Sequence, residues 1–113
     1  MQKTFVKVRV EFEATHYYPN APKVVAHLKN EHRHTFIVTA QVEVKNDNRE
    51  IEFFMLRDYL SSRLKEEQLN NLSCEMVNKM VITKLKERYG KSRDYIVETS
   101  EDGIRSAVTY SIR

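Results

Sequence analysis

The first third of the chain alternates apolar and charged residues. Residues 5–14 read FVKVRVEFEA, in which apolar side chains from Val6 onward occupy every second position and Lys, Arg or Glu stand between them. This two-residue period is typical of a β-strand with one face in the core. The alternation returns from His32 to Lys45, after a stretch over 15–31 that holds both prolines and has no sustained period. We therefore predict two long strands joined by a long connection.

The period changes in the middle of the chain. From Phe53 the apolar residues follow the spacing of an amphipathic helix, which predicts a first helix over 53–66. Ser73 is placed to cap the start of a second helix, because its hydroxyl can accept from the free backbone N–H groups of the first turn. Gly90 is placed to end that helix as a C-terminal cap.

The C-terminal part returns to strand-like patterns. Residues 94–99 and 104–112 predict two further strands, joined by a turn around Asp102 and Gly103. The order is strand, strand, helix, helix, strand, strand. Because strands do not alternate with single helices, we expect an α+β fold: a four-stranded antiparallel sheet with two helices on one face (ββααββ).

Length and composition place the chain among globular proteins. It has 113 residues, enough for one domain over 1–113, and only two Gly and two Pro, which excludes collagen-like and low-complexity classes. The sequence has no long apolar run, so we expect a soluble, cytoplasmic protein with no membrane partner. The single cysteine, Cys74, cannot form a disulfide within the chain. A net charge of +3 is too mild to favour nucleic-acid binding.

Three of the four histidines share the inward parity of the predicted strands. His16 continues the apolar positions of the first strand, and His32 and His34 begin those of the second. Since consecutive strands are usually antiparallel neighbours, these side chains should meet at one edge of the sheet. Three imidazoles around an open fourth position are typical of a catalytic zinc site. The alternative is a set of hydrogen-bonded core histidines. The fourth histidine, His27, has no such parity and should be solvated.

Short motifs along the chain resemble a known family. FEATH, HRH at the start of a long strand, IEFFML, SCEM and VETSEDG occur in the order and spacing of the 6-pyruvoyltetrahydropterin synthase and 6-carboxytetrahydropterin synthase family. The resemblance implies Zn2+ held by His16, His32 and His34, in agreement with the parity argument. It also implies the tunnelling fold, in which subunits pair their sheets edge to edge into a barrel. The protein would then be a homo-oligomer, a trimer or hexamer, with sites between neighbours.

The resemblance further implies a substrate-binding set. Glu98 and Thr99 match the element that anchors the pterin ring, and Glu75 lies in the element that opens the second helix. A carboxylate can accept two parallel hydrogen bonds from the amino-pyrimidinone edge of a pterin or guanine. Without the resemblance, Glu98 would be interpreted as an ordinary solvent-facing strand residue.

The chain departs from the family pattern at the catalytic positions. The usual cysteine, four residues before the histidine pair, is replaced by Leu28. Lys65 and Glu66 stand where an aspartate–histidine relay is expected, and Arg33 replaces the glycine between the paired histidines.

Glu31, Cys74, and more weakly Glu66 and Glu67, are candidates to replace the missing thiol. Glu31, next to His32, is the leading candidate for a catalytic base, and the alternative is a solvated loop residue. Cys74 is better explained by packing than by reactivity.

Three functional hypotheses follow. The first is a zinc-dependent lyase acting on a dihydroneopterin triphosphate-like substrate in pterin or 7-deazapurine (queuosine) biosynthesis. The alternative is a family member that binds a pterin or guanine-type nucleotide without turnover. A metal-free oligomeric scaffold ranks last.

Overall fold

The chain forms a four-stranded antiparallel sheet and two α-helices. A computed structural model describes residues 1–65 and 69–113. Its elements are β1 (Thr4–His16), β2 (His32–Val44), α1 (Phe53–Leu64), α2 (Cys74–Tyr89), β3 (Tyr95–Glu101) and β4 (Arg105–Ser111). The predicted α+β class and the order ββααββ are confirmed.

Most strand ends differ from the predicted ones by one or two residues, and other differences lie in the connection, in β3 and in α1. Residues Lys23–Lys29, inside the predicted connection, form a short 3₁₀ helix. Strand β3 continues two residues beyond the predicted end at Thr99, to Glu101. Helix α1 ends at Leu64, and the predicted end at Glu66 lies outside the described residues.

The strands are hydrogen-bonded in the order β1-β2-β3-β4, and each neighbouring pair is antiparallel. The register places His16 opposite His32 and Phe36 opposite Glu101. The end of β1, the start of β2 and the end of β3 therefore lie at the same end of the sheet.

One face of the sheet carries the core. Alternate side chains of β1, β2 and β3 pack against the apolar stripes of α1 and α2, as the period-2 and helical patterns require. The fully buried members include Phe36, Val38, Leu56, Leu60, Val81, Leu85, Tyr95 and Val97.

The caps of α2 match the sequence prediction. The Ser73 hydroxyl accepts from the Met76 N–H at 3.2 Å, and Gly90 ends the helix at a φ of 100°, a conformation that disfavours side chains. The Ser73 cap fixes where the first turn of α2 begins, close to the histidine-bearing end of the sheet. In α1 the side chain of Glu52 accepts from the N–H groups of Phe54 and Met55.

Apolar side chains stand on the outer strand β4 and the segments beside it. Ile104, Val108, Tyr110 and Ile112 are each exposed, on the face of the sheet opposite the helices. Among residues 1–65 and 69–113, no helix has the length and apolarity needed to cross a membrane.

Candidate metal centre

The three predicted histidines meet at one end of the sheet. Their ring centroids are 4.5 Å apart for His16 and His32, 4.9 Å for His32 and His34, and 5.4 Å for His16 and His34. The β1–β2 register brings His16 opposite His32, and His34 lies two residues further along the same face. The juxtaposition predicted from parity is confirmed.

A carboxylate that the sequence analysis missed completes the cluster. Glu101 is the last residue of β3, and its Oε2 atom lies 3.0 Å from His16 Nε2 and 3.3 Å from His34 Nε2. One potential ligand atom from each of the four residues lies within 4.8 Å of all the others. His16 is buried, and the remaining three are partly buried.

The opposite nitrogen of each ring is held by an oxygen. Each Nδ1 atom lies within hydrogen-bond distance of an oxygen atom that can only accept a hydrogen bond. The acceptors are Leu72 O for His16 (2.9 Å), Asn30 O for His32 (2.9 Å) and Asp102 Oδ2 for His34 (2.7 Å). We assign the ring proton to Nδ1 in all three histidines, since only an N–H can satisfy these oxygens. The three Nε2 lone pairs therefore point into the cluster, as is usual for metal-binding histidines.

Asp102 is itself fixed by the β3–β4 turn. Its backbone has a φ of 58°, its N–H donates to Thr35 O at 2.8 Å, and its Oδ1 accepts from the Thr35 N–H at 2.9 Å. The Thr35 N–H and then the His34 ring lower the pKa of Asp102. The ionised carboxylate therefore orients the His34 ring, in the manner of a carboxylate–histidine–metal triad.

The contact between Glu101 and the rings requires a positive charge. His16 Nε2 is buried and makes no hydrogen bond within the described residues, although a Glu101 oxygen lies 3.0 Å away. With the ring proton on Nδ1, two acceptors face each other, an arrangement that an extra proton or a cation would relieve. A divalent cation would also balance the charges of Glu101 and Asp102. This group of three histidines and Glu101 could hold a metal ion.

A cavity of about 440 Å³ opens beside the cluster. His16, His32 and Glu101 form part of its wall. The other lining residues include Tyr17, Tyr18, Leu28, Ser73, Cys74 and Glu75. A volume of this size lies within the range of small-molecule sites.

The cavity wall contains both Leu28, which stands at the position of the family's cysteine, and the chain's own cysteine, Cys74. Leu28 contributes an apolar side chain where the resemblance expects cysteine. Burial, and secondarily the charge of Glu101, raises the pKa of the Cys74 thiol from 9.0 to about 11. Cys74 is therefore a thiol, not a thiolate, near neutral pH. The weaker candidates Glu66 and Glu67 lie outside the described residues.

The two candidate glutamates near the histidines differ in position. Glu75, in the first turn of α2, lines the cavity and is exposed. Glu31 is exposed and does not line the cavity. Arg33 points to the outer face, where it pairs with Glu13 at 2.7 Å.

Within one chain, the predicted ring anchor stands apart from the histidines. Glu98 lies on the sheet face opposite the helices, where its Oε2 accepts from the Ser106 hydroxyl at 2.6 Å. Thr99 faces the helices but is fully buried, and its hydroxyl donates to Asn78 Oδ1 at 2.6 Å.

Comparison with known proteins does not assign the chain to a family. Neither the protein-family models nor the curated proteins give a match to this chain.

Proposed function

We propose that this protein is a zinc-dependent lyase of the tunnelling fold, acting on a dihydroneopterin triphosphate-like substrate in pterin or 7-deazapurine biosynthesis. One observation carries the proposal: three Nε2 atoms, each with its ring held from the other side, converge on a partly buried point beside a cavity. The resemblance of the motifs to the 6-pyruvoyltetrahydropterin and 6-carboxytetrahydropterin synthases supports the choice of substrate.

The donor set favours zinc among the common divalent ions. Neutral imidazoles suit zinc and other late transition metals, whereas magnesium and calcium prefer sites built of oxygen. The Nδ1 hydrogen bonds already hold the rings as neutral ligands, so little reorganisation is needed on binding. Zinc in such a site acts as a Lewis acid that polarises a substrate oxygen.

Two glutamates are assigned the roles of substrate binding and proton transfer. Glu75 lines the cavity and can accept hydrogen bonds from a substrate there. Glu31 keeps the proposed role of catalytic base because it directly precedes His32. Its exposed position outside the cavity wall makes Glu75 the second carboxylate to test in that role.

The proposed site draws on more than one subunit. In the described sheet β1 and β4 are the outer strands, which leaves backbone groups free to pair with another chain. In a homo-oligomeric barrel, a trimer or hexamer, Glu98 would serve a neighbour's site from the face opposite the histidines. Thr99 would support that position through its bond to Asn78 and not through the ligand.

A second candidate function is binding of a pterin or guanine-type nucleotide without turnover. Two observations favour it: leucine stands at the cysteine position, and the nearby Cys74 has a raised pKa. Under this alternative the histidines and the cavity hold a ligand, and neither Leu28 nor Cys74 provides a thiolate to move its protons.

Incubation of the zinc-loaded protein with dihydroneopterin triphosphate separates the two functions. If the protein is a lyase, the substrate should lose its triphosphate side chain, and chromatography measures this loss. Turnover should disappear in His34→Ala but not in the exposed His27→Ala. Unchanged substrate with saturable binding by calorimetry supports the binder. The absence of both turnover and binding would refute both functions.

A further inference from the structure

We propose that Glu101 is the fourth protein ligand of this metal centre, so that the resting site is a closed three-histidine, one-carboxylate shell. The inference rests on the metal binding in the proposed function and assigns a residue that the family resemblance does not. Its basis is the position of one oxygen atom, Glu101 Oε2, between two imidazole nitrogens.

Two of the separations in the cluster are close to the edge of a coordination tetrahedron. Ligand atoms about 2.0–2.2 Å from zinc, at the tetrahedral angle, lie about 3.3–3.5 Å from one another. Glu101 Oε2 is 3.0 Å from His16 Nε2 and 3.3 Å from His34 Nε2, so a small shift lets one ion contact these three atoms. The ligand atom of His32 lies within 4.8 Å of each of them, and its ring must move closer to complete the shell. A base that acted on a metal-bound substrate would stand further from the ligand nitrogens.

Apart from the imidazoles, only one weak partner lies near this carboxylate within the described residues. Within the described residues its side chain makes no hydrogen bond, and its nearest cation, Arg105 Nε, lies 3.9 Å from the other oxygen, Oε1. The Arg105 side chain is 62% exposed, against 20% for Glu101, so the pair is weakened by solvent. Oε2 is left directed at the rings.

The backbone fixes Glu101 where a ligand is needed. It is paired with Phe36 of β2, and its carbonyl oxygen accepts from the Ile104 N–H at 3.2 Å in the turn that follows. The next residue, Asp102, holds His34 from the opposite side of the ring. Two consecutive residues therefore supply a ligand and the group that orients another ligand.

A closed shell changes what the site can bind. Three-histidine zinc sites with an open position take water or small anions directly, whereas a site with four protein ligands does not. A substrate oxygen would have to displace Glu101 or add as a fifth ligand. The expected ligand is therefore one whose binding is supported by the neighbouring cavity, not a simple monodentate anion.

Cobalt(II) in place of zinc provides the test, because its visible absorption reports coordination number and ligand exchange. The wild-type protein, Glu101→Gln and the control Glu11→Gln, an exposed carboxylate on β1, are loaded with cobalt and titrated with azide. We expect intense tetrahedral bands that azide leaves unchanged in wild type and Glu11→Gln, and azide-sensitive bands in Glu101→Gln. Zinc affinity, from competition with a chromogenic chelator, should fall roughly tenfold or more in Glu101→Gln alone.

The outcomes separate this inference from the proposed function. If wild-type protein binds cobalt and zinc but its spectrum responds to azide as that of Glu101→Gln does, the fourth position is open and only the inference fails. If wild type binds neither metal, the zinc-dependent function fails with it. The azide response of the wild type decides the matter even if Glu101→Gln does not fold.

Discussion

The two ends of the sheet differ in the partners of one carboxylate, Glu101. At the paired end, formed by Lys3, Glu43, Glu50, Arg93 and Asp94, acidic side chains face donors. Asp94 pairs with Lys3, Glu50 Oε2 lies 2.5 Å from Arg93 Nη2, and Glu43 Oε1 accepts from the Asp94 N–H at 2.8 Å. At the histidine end, formed by His16, His32, His34, Glu101 and Asp102, the Glu101 Oε2 atom instead lies 3.0 Å from His16 Nε2 and 3.3 Å from His34 Nε2.

The difference separates a stabilising cluster from a binding cluster. A buried acidic group whose charge and hydrogen bonds are satisfied contributes to the native state, as at Glu43 and Asp94. A cluster of converging acceptors is unfavourable until a proton or a metal cation enters it. We infer that the paired end supports the fold, whereas the histidine end could hold a metal ion.

Removing one imidazole should have the largest effect on metal binding. His34→Ala takes away a ligand and leaves Asp102 without its ring partner, so zinc affinity should fall by roughly two orders of magnitude or more. Asp102→Asn keeps the turn, because asparagine tolerates a positive φ, and should cost about 10–100-fold. Competition with a chromogenic chelator measures both.

The matched control is His27→Ala. His27 is exposed on the 3₁₀ segment and lies outside the cluster, so the zinc affinity of the His27→Ala protein should equal that of the wild type. Equal losses in the His27 and His34 variants would contradict the assignment of the histidine end.

At the paired end, Arg93→Ala should lower stability and leave zinc affinity unchanged. The guanidinium donates to Tyr89 O at 2.8 Å and to Glu43 O at 3.0 Å, in addition to its contact with Glu50. Losing these bonds should lower the free energy of unfolding by about 2–4 kcal/mol, measured by urea denaturation.

Arg57→Ala is the control for that measurement. Arg57 and Asp58 are 3.6 Å apart and largely exposed, so the substitution should change the free energy of unfolding by less than about 0.5 kcal/mol. A similar cost in the two arginine variants would remove the distinction between the paired end and an ordinary surface.

The smallest effect is a pH dependence centred on Glu50. The hydrogen bond from Arg93, followed by that from the Lys45 N–H, lowers the pKa of Glu50 from 4.5 to about 2. Because the folded value lies below the unfolded one, the stabilisation is present above about pH 4.5 and is lost as the pH falls towards about 2. Between about pH 5 and pH 3 the wild type should therefore lose more stability than Glu50→Gln.

Both proteins are measured with a chelator present, so that acid release of zinc does not contribute. Urea midpoints that fall in parallel for the two proteins would show that Glu50 is not among the groups that set the acid limit.

The position of the histidines could be predicted from the sequence because it depends on strand parity. His16, His32 and His34 carry the same alternation as the core valines, and antiparallel neighbours bring them together. The cap residues Ser73 and Gly90 were predictable for a similar reason, since their chemistry is local.

Glu101 could not be predicted in the same way. The apolar alternation of β3 stops after Val97, and the strand is extended to Glu101 by pairing with Phe36, a residue far away in the chain. Its parity with Tyr95 and Val97 was the available signal, but only the register shows that it reaches His34. The acceptors at Leu72 and Asn30 are backbone oxygens, which every residue has, so no residue type marks them.

The most direct test of the histidine end is an anomalous diffraction measurement at the zinc absorption edge, on crystals of the wild-type protein grown with zinc. We predict one anomalous peak about 2.0–2.2 Å from the Nε2 atoms of His16, His32 and His34 and from an oxygen of Glu101. A map with no peak there, and with Glu101 Oε2 still at hydrogen-bond distance from the Nε2 atoms of His16 and His34, would contradict the metal centre.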